Sequence, residues 1–117
     1  MKKILIIDNS SFMRLFVKKI LERGDSYTVL EASNEEEGIK LFENEKPDIV
    51  ILDLNISDST MEGINVLTHI MKVSPETSVI IISAVRHEEI KQQCLELGAK
   101  SYIMKPFDTE TLLKELV

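Results

Sequence analysis

The apolar residues of this chain include three short, uninterrupted runs. Isoleucine, leucine and valine fill residues 4–7, 49–52 and 79–82. Each run is mostly β-branched and does not alternate with polar residues, which is typical of strands covered on both faces in a parallel sheet. Two segments that are shorter or more polar, Tyr27–Ala32 and Ser101–Met104, predict strands at the edges of the sheet. We therefore expect five strands, three of them central.

Segments with helical periodicity separate these strands. The first helix is predicted over Ser11–Glu22, with an apolar stripe that begins at Phe12. Ser33 predicts the start of the second helix, because Glu36 three residues later completes a capping-box pattern. Three further helices are predicted over Gly63–Val73, over Glu88–Leu97 and after Asp108.

Strict alternation of strand and helix predicts a parallel α/β sheet whose right-handed crossovers place helices on both faces. The most apolar strands, the first, third and fourth, belong in the centre. The strand order 2-1-3-4-5 satisfies this requirement, and it defines a flavodoxin-like three-layer α/β sandwich with a five-stranded parallel sheet and five helices. A length of 117 residues suits one domain, covering residues 1–117.

Composition narrows the range of functions. Twenty acidic residues against fourteen basic ones give a net charge of −6, which disfavours direct binding to nucleic acid. The apolar runs are too short to cross a membrane, and the N-terminus has no signal-peptide pattern. Cys94 is the only cysteine, which excludes an internal disulfide and suits a reducing, cytoplasmic location. We therefore expect neither nucleic acid nor a membrane among the partners.

Polar residues follow the predicted strands where the carboxyl ends of a parallel sheet meet. Asp8 and Asn9 follow strand 1, Asp53 follows strand 3, Ser83 follows strand 4 and Lys105 follows strand 5. Open sheets of this type bind ligands at that edge. Crowded carboxylates with only oxygen ligands favour Mg²⁺, and an ammonium and a hydroxyl beside them suit a phosphoryl group. The pattern predicts a site for phosphoryl transfer, in which a carboxylate can be the nucleophile.

The ordered set Asp8, Asp53, Ser83-Ala84 and Lys105-Pro106-Phe107 resembles the receiver domain of two-component response regulators. The resemblance covers essentially the whole chain, and the segment 11–14 is similar to the CheY-like branch. It implies a phosphorylation-dependent signalling switch and not an enzyme that turns over an external substrate. The chain would promote only its own phosphorylation and dephosphorylation.

The resemblance also implies which residues accept the phosphoryl group and hold the metal. Asp53 is the expected acceptor of a phosphoryl group from a histidine kinase, a phosphotransfer protein or a small phosphodonor. Mg²⁺ is the expected cofactor, held by Asp8, Asn9, Asp53 and the backbone carbonyl of Asn55.

Three more residues receive roles from the resemblance. Ser83 and Lys105 are expected to contact the phosphoryl group, with a cis peptide between Lys105 and Pro106. Tyr102 is expected to change rotamer when Ser83 moves. The face formed by helix 4, strand 5 and helix 5 would then contact a downstream protein target or effector domain.

The chain departs from the family pattern at two places. Asn9 stands where a second acid is usual, which predicts weaker binding of Mg²⁺. Ser57 replaces a common proline, and glycine arrives only at Gly63, which predicts a longer loop beside the site.

Several alternatives stay open at this stage. Taken singly, Asp8 and Asn9 are also helix caps, and Lys105 is also an ordinary loop lysine. An FMN-binding protein would share the strand order, but the segment 9–13 lacks glycine and the chain has no tryptophan. A nucleotide hydrolase would need a P-loop, which is absent. A degenerate receiver that binds proteins without phosphorylation, and a receiver cut from a larger transcription regulator, are both compatible with the sequence.

Overall fold

The computed structural model describes residues 2–23, 27–55 and 60–116. Strands and helices alternate along the chain. The strands are β1 Lys2–Ile7, β2 Tyr27–Ala32, β3 Ile49–Asp53, β4 Ser78–Ser83 and β5 Ser101–Met104. The helices are α1 Ser11–Leu21, α2 Glu35–Glu45, α3 Thr60–Val73, α4 Glu88–Leu97 and α5 Thr109–Glu115.

All five strands are parallel and lie in the order β2-β1-β3-β4-β5, which confirms the predicted topology. The central strands carry the apolar runs, and every residue of β3 is buried. The carboxyl ends of neighbouring strands lie within one residue of each other in register, since Asp53 at the end of β3 pairs with Ile82 and Ser83 pairs with Met104. This register brings the carboxyl ends of β3, β4 and β5 to one edge of the sheet.

Helices cover both faces of the sheet, as the sandwich predicts. On one face, α2, α3 and α4 pack over alternate strand residues, with Phe42, Leu67 and Cys94 in the core. On the other face, α1 and α5 contribute Val17 and Leu112. Cys94 is completely buried, so it is a core residue, as its place in an apolar stripe predicted. None of the helices in the described ranges is long and apolar enough to span a membrane.

Two helix starts differ from the sequence prediction. Asn34, and not Ser33, caps α2, because its side chain accepts a hydrogen bond of 2.8 Å from the Glu37 amide. The cap therefore lies one residue later than predicted. The Glu37 carboxylate accepts from the amide of Ser33, the residue before the cap, whereas a capping box would use the amide of the cap residue itself. Helix α3 begins at Thr60 and not at Gly63.

Gly63 lies within α3 at a point of close packing. A side-chain Cβ built on Gly63 would lie 2.3 Å from the carbonyl oxygen of Leu54. Only glycine lets the helix backbone approach the end of β3 this closely. Gly63 therefore sits inside α3 as a packing position and does not mark the beginning of the helix. The predicted longer loop around Ser57 lies outside the described residues.

Phe12 is also placed differently from the prediction. Its side chain is 74% exposed, whereas the periodicity put it on the buried stripe of α1. Leu15 on the next turn is 51% exposed. The buried side of α1 is formed by Val17, Ile20 and Leu21. Helix α1 therefore presents apolar side chains to solvent as well as to the core.

Candidate phosphoacceptor site

The structure brings four of the predicted site residues together at the carboxyl edge of the sheet. Asp8 directly follows β1, Asp53 and Ser83 end β3 and β4, and Lys105 directly follows β5. The Lys105 ammonium lies 3.4 Å from Asp53 Oδ1 and 3.6 Å from Asp8 Oδ2. The peptide between Lys105 and Pro106 is cis, as the resemblance implied. One cation therefore bridges two carboxylates from different strands.

These groups are shielded from solvent to different degrees. Asp8 and Asp53 are 5% and 4% exposed, and Ser83 is completely buried. Burial of two carboxylates is unfavourable unless a cation compensates their charge. Lys105 provides one positive charge for two negative ones, so the pocket keeps an excess of negative charge. Such a pocket attracts a further cation.

The pKa of Asp53 is raised above its ordinary value of 3.8. Burial is the main cause, and repulsion by Asp8 is the next. Lys105 and the Asn55 amide act in the opposite direction but do not cancel these effects. The Asp53 carboxylate is therefore held in a less favourable environment than a solvated one, and a positive charge placed beside it would be stabilising.

Asn55 connects Asp53 to the end of β4. Its amide N–H donates to Asp53 Oδ1 at 3.1 Å, and its side-chain oxygen accepts from the Ser83 hydroxyl at 3.3 Å. In the described part of the chain, the contacts of Asp53 with Asn55 and Lys105 both go to Oδ1. Oδ1 is therefore the oxygen of the Asp53 carboxylate that these two neighbours engage.

Ser83 and Tyr102 are linked through the backbone of Val85. The Ser83 hydroxyl accepts a hydrogen bond of 3.0 Å from the Val85 amide, and the Tyr102 hydroxyl donates one of 2.9 Å to the Val85 carbonyl. Burial raises the pKa of Tyr102, so the phenol keeps its proton and stays a donor. A side-chain interaction with Ser83 partly offsets this rise in the pKa of Tyr102. Ser83 and Tyr102 are therefore linked both through their side chains and through the Val85 peptide, in the segment that precedes α4.

The segment between β1 and α1 is fixed at several points. The Asp8 amide donates to the Ala32 carbonyl at 3.0 Å, and the Ser10 amide donates to Asp8 Oδ1 at 2.9 Å. Ser10 caps α1 by accepting from the Met13 amide at 3.2 Å. Arg14 in α1 donates to the backbone carbonyl of Asp8. Sequence reasoning assigned no role to Arg14, because its partners lie on other elements.

The donor set fits Mg²⁺ but includes few charged ligands. Asp8 and Asp53 supply carboxylate oxygens, and Asn9, which is exposed, supplies an amide. Across residues 2–23, 27–55 and 60–116, no group of three or more His, Cys, Asp or Glu side chains is placed to hold a metal. Oxygen-only donors with two carboxylates are nevertheless typical of Mg²⁺ sites, since Mg²⁺ retains water and shares phosphate oxygens. Asp8, Asn9, Asp53 and the Asn55 carbonyl therefore stay the predicted ligands.

An apolar groove adjoins the site, which sequence reasoning did not predict. It has a volume of about 450 Å³ and runs between α1 and the segment after β5. Its walls include Lys105 itself, and the rings of Phe16 and Phe107 lie with their centroids 5.7 Å apart. Phe12 also lines it and is the most exposed large apolar side chain of the described chain. A larger depression of about 500 Å³ lies before β3 and β4, at the opposite edge of the sheet, and contains none of the candidate site residues.

This fold and this site define the class of α/β domains that present an acidic pocket at the carboxyl edge of a parallel sheet. Comparison with known proteins specifies the family. The family model described as "Response regulator receiver domain" matches residues 4–117, and the chain therefore belongs to the response regulator receiver domain family. It is a CheY-like receiver domain of the two-component signalling type, and domains of this family act as signalling switches rather than as conventional enzymes.

Individual relatives support this assignment. The chain is 37% identical over 116 residues to a chemotaxis protein CheY of Listeria monocytogenes, covering 99% of this chain and 96% of the relative. A CheY-like response regulator receiver domain from Methanospirillum hungatei has a TM-score of 0.90 and 31% identity, covering 99% and 90% of the two chains. A response regulator from Burkholderia pseudomallei, solved with a phosphorylated aspartic acid, a calcium ion and citrate, has a TM-score of 0.88 and 25% identity. The match covers 100% of this chain and 67% of that one.

Proposed function

We propose that this chain is a phosphorylation-dependent switch in which Asp53 accepts a phosphoryl group from a histidine kinase or a phosphotransfer protein. The observation that carries this proposal is the position of the Lys105 ammonium, 3.4 Å from Asp53 and 3.6 Å from Asp8 in a pocket where both acids are buried. A buried carboxylate beside a fixed cation has the arrangement that phosphoryl transfer requires.

The transfer is a displacement at phosphorus. A carboxylate oxygen of Asp53 forms a bond to the phosphorus atom, while the bond between phosphorus and the donor's leaving nitrogen or oxygen breaks and the leaving group keeps the electron pair. Lys105 and the Ser83 hydroxyl stabilise the charge on the transferred group. Mg²⁺, when bound, supplies further charge neutralisation. Hydrolysis by water later restores the carboxylate and releases inorganic phosphate, so the chain acts on its own aspartate only.

The switch in this proposal runs from Ser83 to Tyr102. A phosphoryl group adds close to two negative charges beside Asp53 and offers new acceptors to the Ser83 hydroxyl. Ser83 then exchanges its bond to Asn55 for one to the phosphoryl group, and the Val85 peptide moves with it. The Tyr102 hydroxyl follows Val85 and changes the face formed by α4, β5 and α5, which contacts the downstream partner.

The exposed apolar groove supports a protein as phosphodonor. A small phosphodonor needs only the acidic pocket, whereas a protein donor also needs a surface on which to dock. Phe12, Pro106 and Phe107 provide apolar area that borders Lys105. Exposed apolar side chains at the rim of a polar site are typical of protein interfaces.

Incubation with Mg²⁺ and acetyl phosphate, followed by intact-mass analysis, tests the proposal. The native chain should gain the mass of one phosphoryl group, and beryllofluoride should form an equivalent adduct. Asp53→Asn should give neither, while Asp48→Asn, which removes an exposed acid at the opposite edge, should react like the native chain. Failure of the native chain to form an adduct, or an equal adduct on Asp53→Asn, would falsify the proposal.

A phosphorylation-independent binding module is the second candidate, and Asn9 is the observation that favours it. The loss of one carboxylate weakens the metal site. The same mass experiment separates the two functions, because a binding module forms no adduct.

A further inference from the structure

Arg14 connects three elements at the edge of the phosphoacceptor site. From α1, its Nη1 donates to the backbone carbonyl of Asp8, and its Nε donates to Glu31 Oε1 at 3.1 Å. Its side chain is only 16% exposed. Glu31 is in β2, next to Ala32, whose carbonyl accepts from the Asp8 amide. The Asp8 peptide groups are therefore held on both sides, by the backbone of β2 and by the guanidinium.

Glu31 fixes the direction of this guanidinium. A planar guanidinium donates in fixed directions, so an acceptor on Nε also determines where Nη1 points. Lys18, one turn further along α1, lies 3.9 Å from the other carboxylate oxygen of Glu31 but has no contact with Asp8 among those described. Arg14 and Lys18 thus share one acidic partner, and of the two it is Arg14 that reaches the site.

The carbonyl held by Arg14 belongs to the peptide that joins Asp8 to Asn9. Fixing this peptide plane restricts the path of the backbone at residue 9 and the direction in which the Asn9 side chain extends from it. A carboxylate at residue 9 would be drawn to a bound cation by its charge. The neutral amide of Asn9 has only dipolar attraction, so its orientation depends more strongly on the backbone.

We propose that Arg14 is a positioning residue for the metal side of the site, acting through the Asp8–Asn9 peptide and itself oriented by Glu31. This inference rests on the proposed Mg²⁺-dependent function. Arg14 does not contact the phosphoacceptor. It preorganises Asp8 and Asn9 before the metal arrives, and this preorganisation offsets part of the Mg²⁺ affinity that is lost because residue 9 has no carboxylate.

The proposal predicts an effect opposite in sign to simple electrostatics. Removing a positive charge near a cation site should strengthen Mg²⁺ binding if Arg14 acts only by its charge. Removing a positioning residue should weaken it, since groups that orient metal ligands typically change metal affinity by about 10-fold to 100-fold. Arg14→Lys distinguishes the effect of charge from the effect of positioning, because lysine keeps the positive charge but loses the paired donors of the guanidinium.

The experiment measures Mg²⁺ affinity without any phosphodonor, from amide shifts in nuclear magnetic resonance spectra of the full chain. Arg14→Gln and Arg14→Lys should each weaken Mg²⁺ binding by about 10-fold, and Glu31→Gln by a smaller factor. Lys18→Gln is the matched control and should stay within about 2-fold of the native value. The proposal would be overturned if Arg14→Gln bound Mg²⁺ as tightly as the native chain does. It would also be overturned if Arg14→Lys kept the native Mg²⁺ affinity while Arg14→Gln lost it, because the charge of Arg14 would then be sufficient. If Arg14→Gln does not fold, the comparison of Arg14→Lys and Glu31→Gln with Lys18→Gln decides in the same way.

A second measurement separates this inference from the proposed function. In metal-free protein, hydrogen exchange at the Asn9 and Ser10 amides should accelerate by about 10-fold in Arg14→Gln and stay unchanged in Lys18→Gln. If native protein binds no Mg²⁺ but exchange accelerates as expected, the metal part of the proposed function fails and the positioning role stands. Unchanged exchange in Arg14→Gln would reject the positioning role.

Discussion

The Tyr102 hydroxyl donates a hydrogen bond of 2.9 Å to the carbonyl of Val85. Tyr102 lies in β5 and Val85 follows β4, so the bond ties the proposed output face to the segment that Ser83 also holds through the Val85 amide. Tyr102 also interacts with the Ser83 side chain. In the proposed switch, a change at Asp53 would therefore reach β5 through Ser83 and through the Val85 peptide.

Tyr102→Phe tests this route. The variant should form the Asp53 adduct at a rate within about 2-fold of native, because Tyr102 is outside the pocket, but its free energy of unfolding should fall by about 1 kcal/mol. Adduct formation should shift the α4 and β5 amide resonances less than in native protein. Tyr27→Phe, which removes the other tyrosine hydroxyl, is the control and should respond like native. If the α4 amide resonances of Tyr102→Phe shifted as far as those of the native protein on adduct formation, the route through Tyr102 would be contradicted.

Asp53→Asn should stabilise the fold at neutral pH. Burial and then Asp8 raise the pKa of Asp53 above 3.8, so the folded state holds the Asp53 proton more tightly than the unfolded state does. Stability consequently falls as pH rises from 3.8 through the raised pKa. We expect Asp53→Asn to unfold at a higher urea concentration than the native chain. Its free energy of unfolding should be larger by on the order of 1 kcal/mol. The gain should shrink as pH is lowered towards 3.8. Glu96→Gln, which removes an exposed acid on α4, should show no such gain in stability. An Asp53→Asn variant less stable than the native chain would refute this account.

Asn9→Asp should restore charge to the metal site. A third carboxylate beside Asp8 and Asp53 is expected to tighten Mg²⁺ binding by about 10-fold, because Mg²⁺ prefers charged oxygen ligands. It should also lower stability in metal-free buffer, since it adds a negative charge to an already negative pocket. Titration of both proteins with Mg²⁺ measures the first effect and urea unfolding the second. Asn44→Asp, on α2, adds the same charge away from the site and should leave Mg²⁺ affinity unchanged.

Phe12→Ala separates the two kinds of phosphodonor. Loss of this exposed ring should slow transfer from a histidine kinase or phosphotransfer protein by about 10-fold, since a central aromatic contributes strongly at an interface. Phosphorylation by acetyl phosphate should be unchanged. Val73→Ala removes another exposed apolar side chain at the opposite edge and serves as control. Equal slowing with both donors would place Phe12 in the pocket chemistry and not in docking.

The start of α2 offers a direct measurement of capping. Asn34→Ala should lower the free energy of unfolding by about 1 kcal/mol, because it leaves the Glu37 amide without its acceptor. Ser33→Ala should have little effect, since Ser33 donates its backbone amide to Glu37 and its side chain does not cap α2. The opposite ranking in urea unfolding would restore the predicted cap at Ser33.

The fold was predictable because its signals are local. Unbroken apolar runs identify buried strands, and helical periodicity between them requires parallel crossovers, so the strand order follows. The edge at which Asp8, Asp53, Ser83 and Lys105 meet follows from that order. The cap of α2 was misplaced by one residue because Ser33 and Asn34 are both good caps, each followed three residues later by a glutamate.

Contacts between distant elements were not predictable. Periodicity cannot tell that Phe12 points to solvent, because its position on the stripe depends on how α1 tilts against the sheet. The bonds of Arg14 to Asp8 and Glu31 join three elements, and no spacing along the chain encodes them. The close packing of Gly63 inside α3 involves the carbonyl of Leu54, just after β3. In each case the decisive neighbour lies outside the element that the pattern describes.

The close approach of Gly63 to Leu54 couples helix α3 to the strand end that carries Asp53. A Cβ at residue 63 would lie 2.3 Å from the Leu54 carbonyl oxygen, and Leu54 directly follows Asp53. Any larger residue at position 63 would have to displace either α3 or the Leu54 peptide. A substitution in the helix, outside the acidic pocket, would therefore disturb the geometry of the proposed phosphoacceptor.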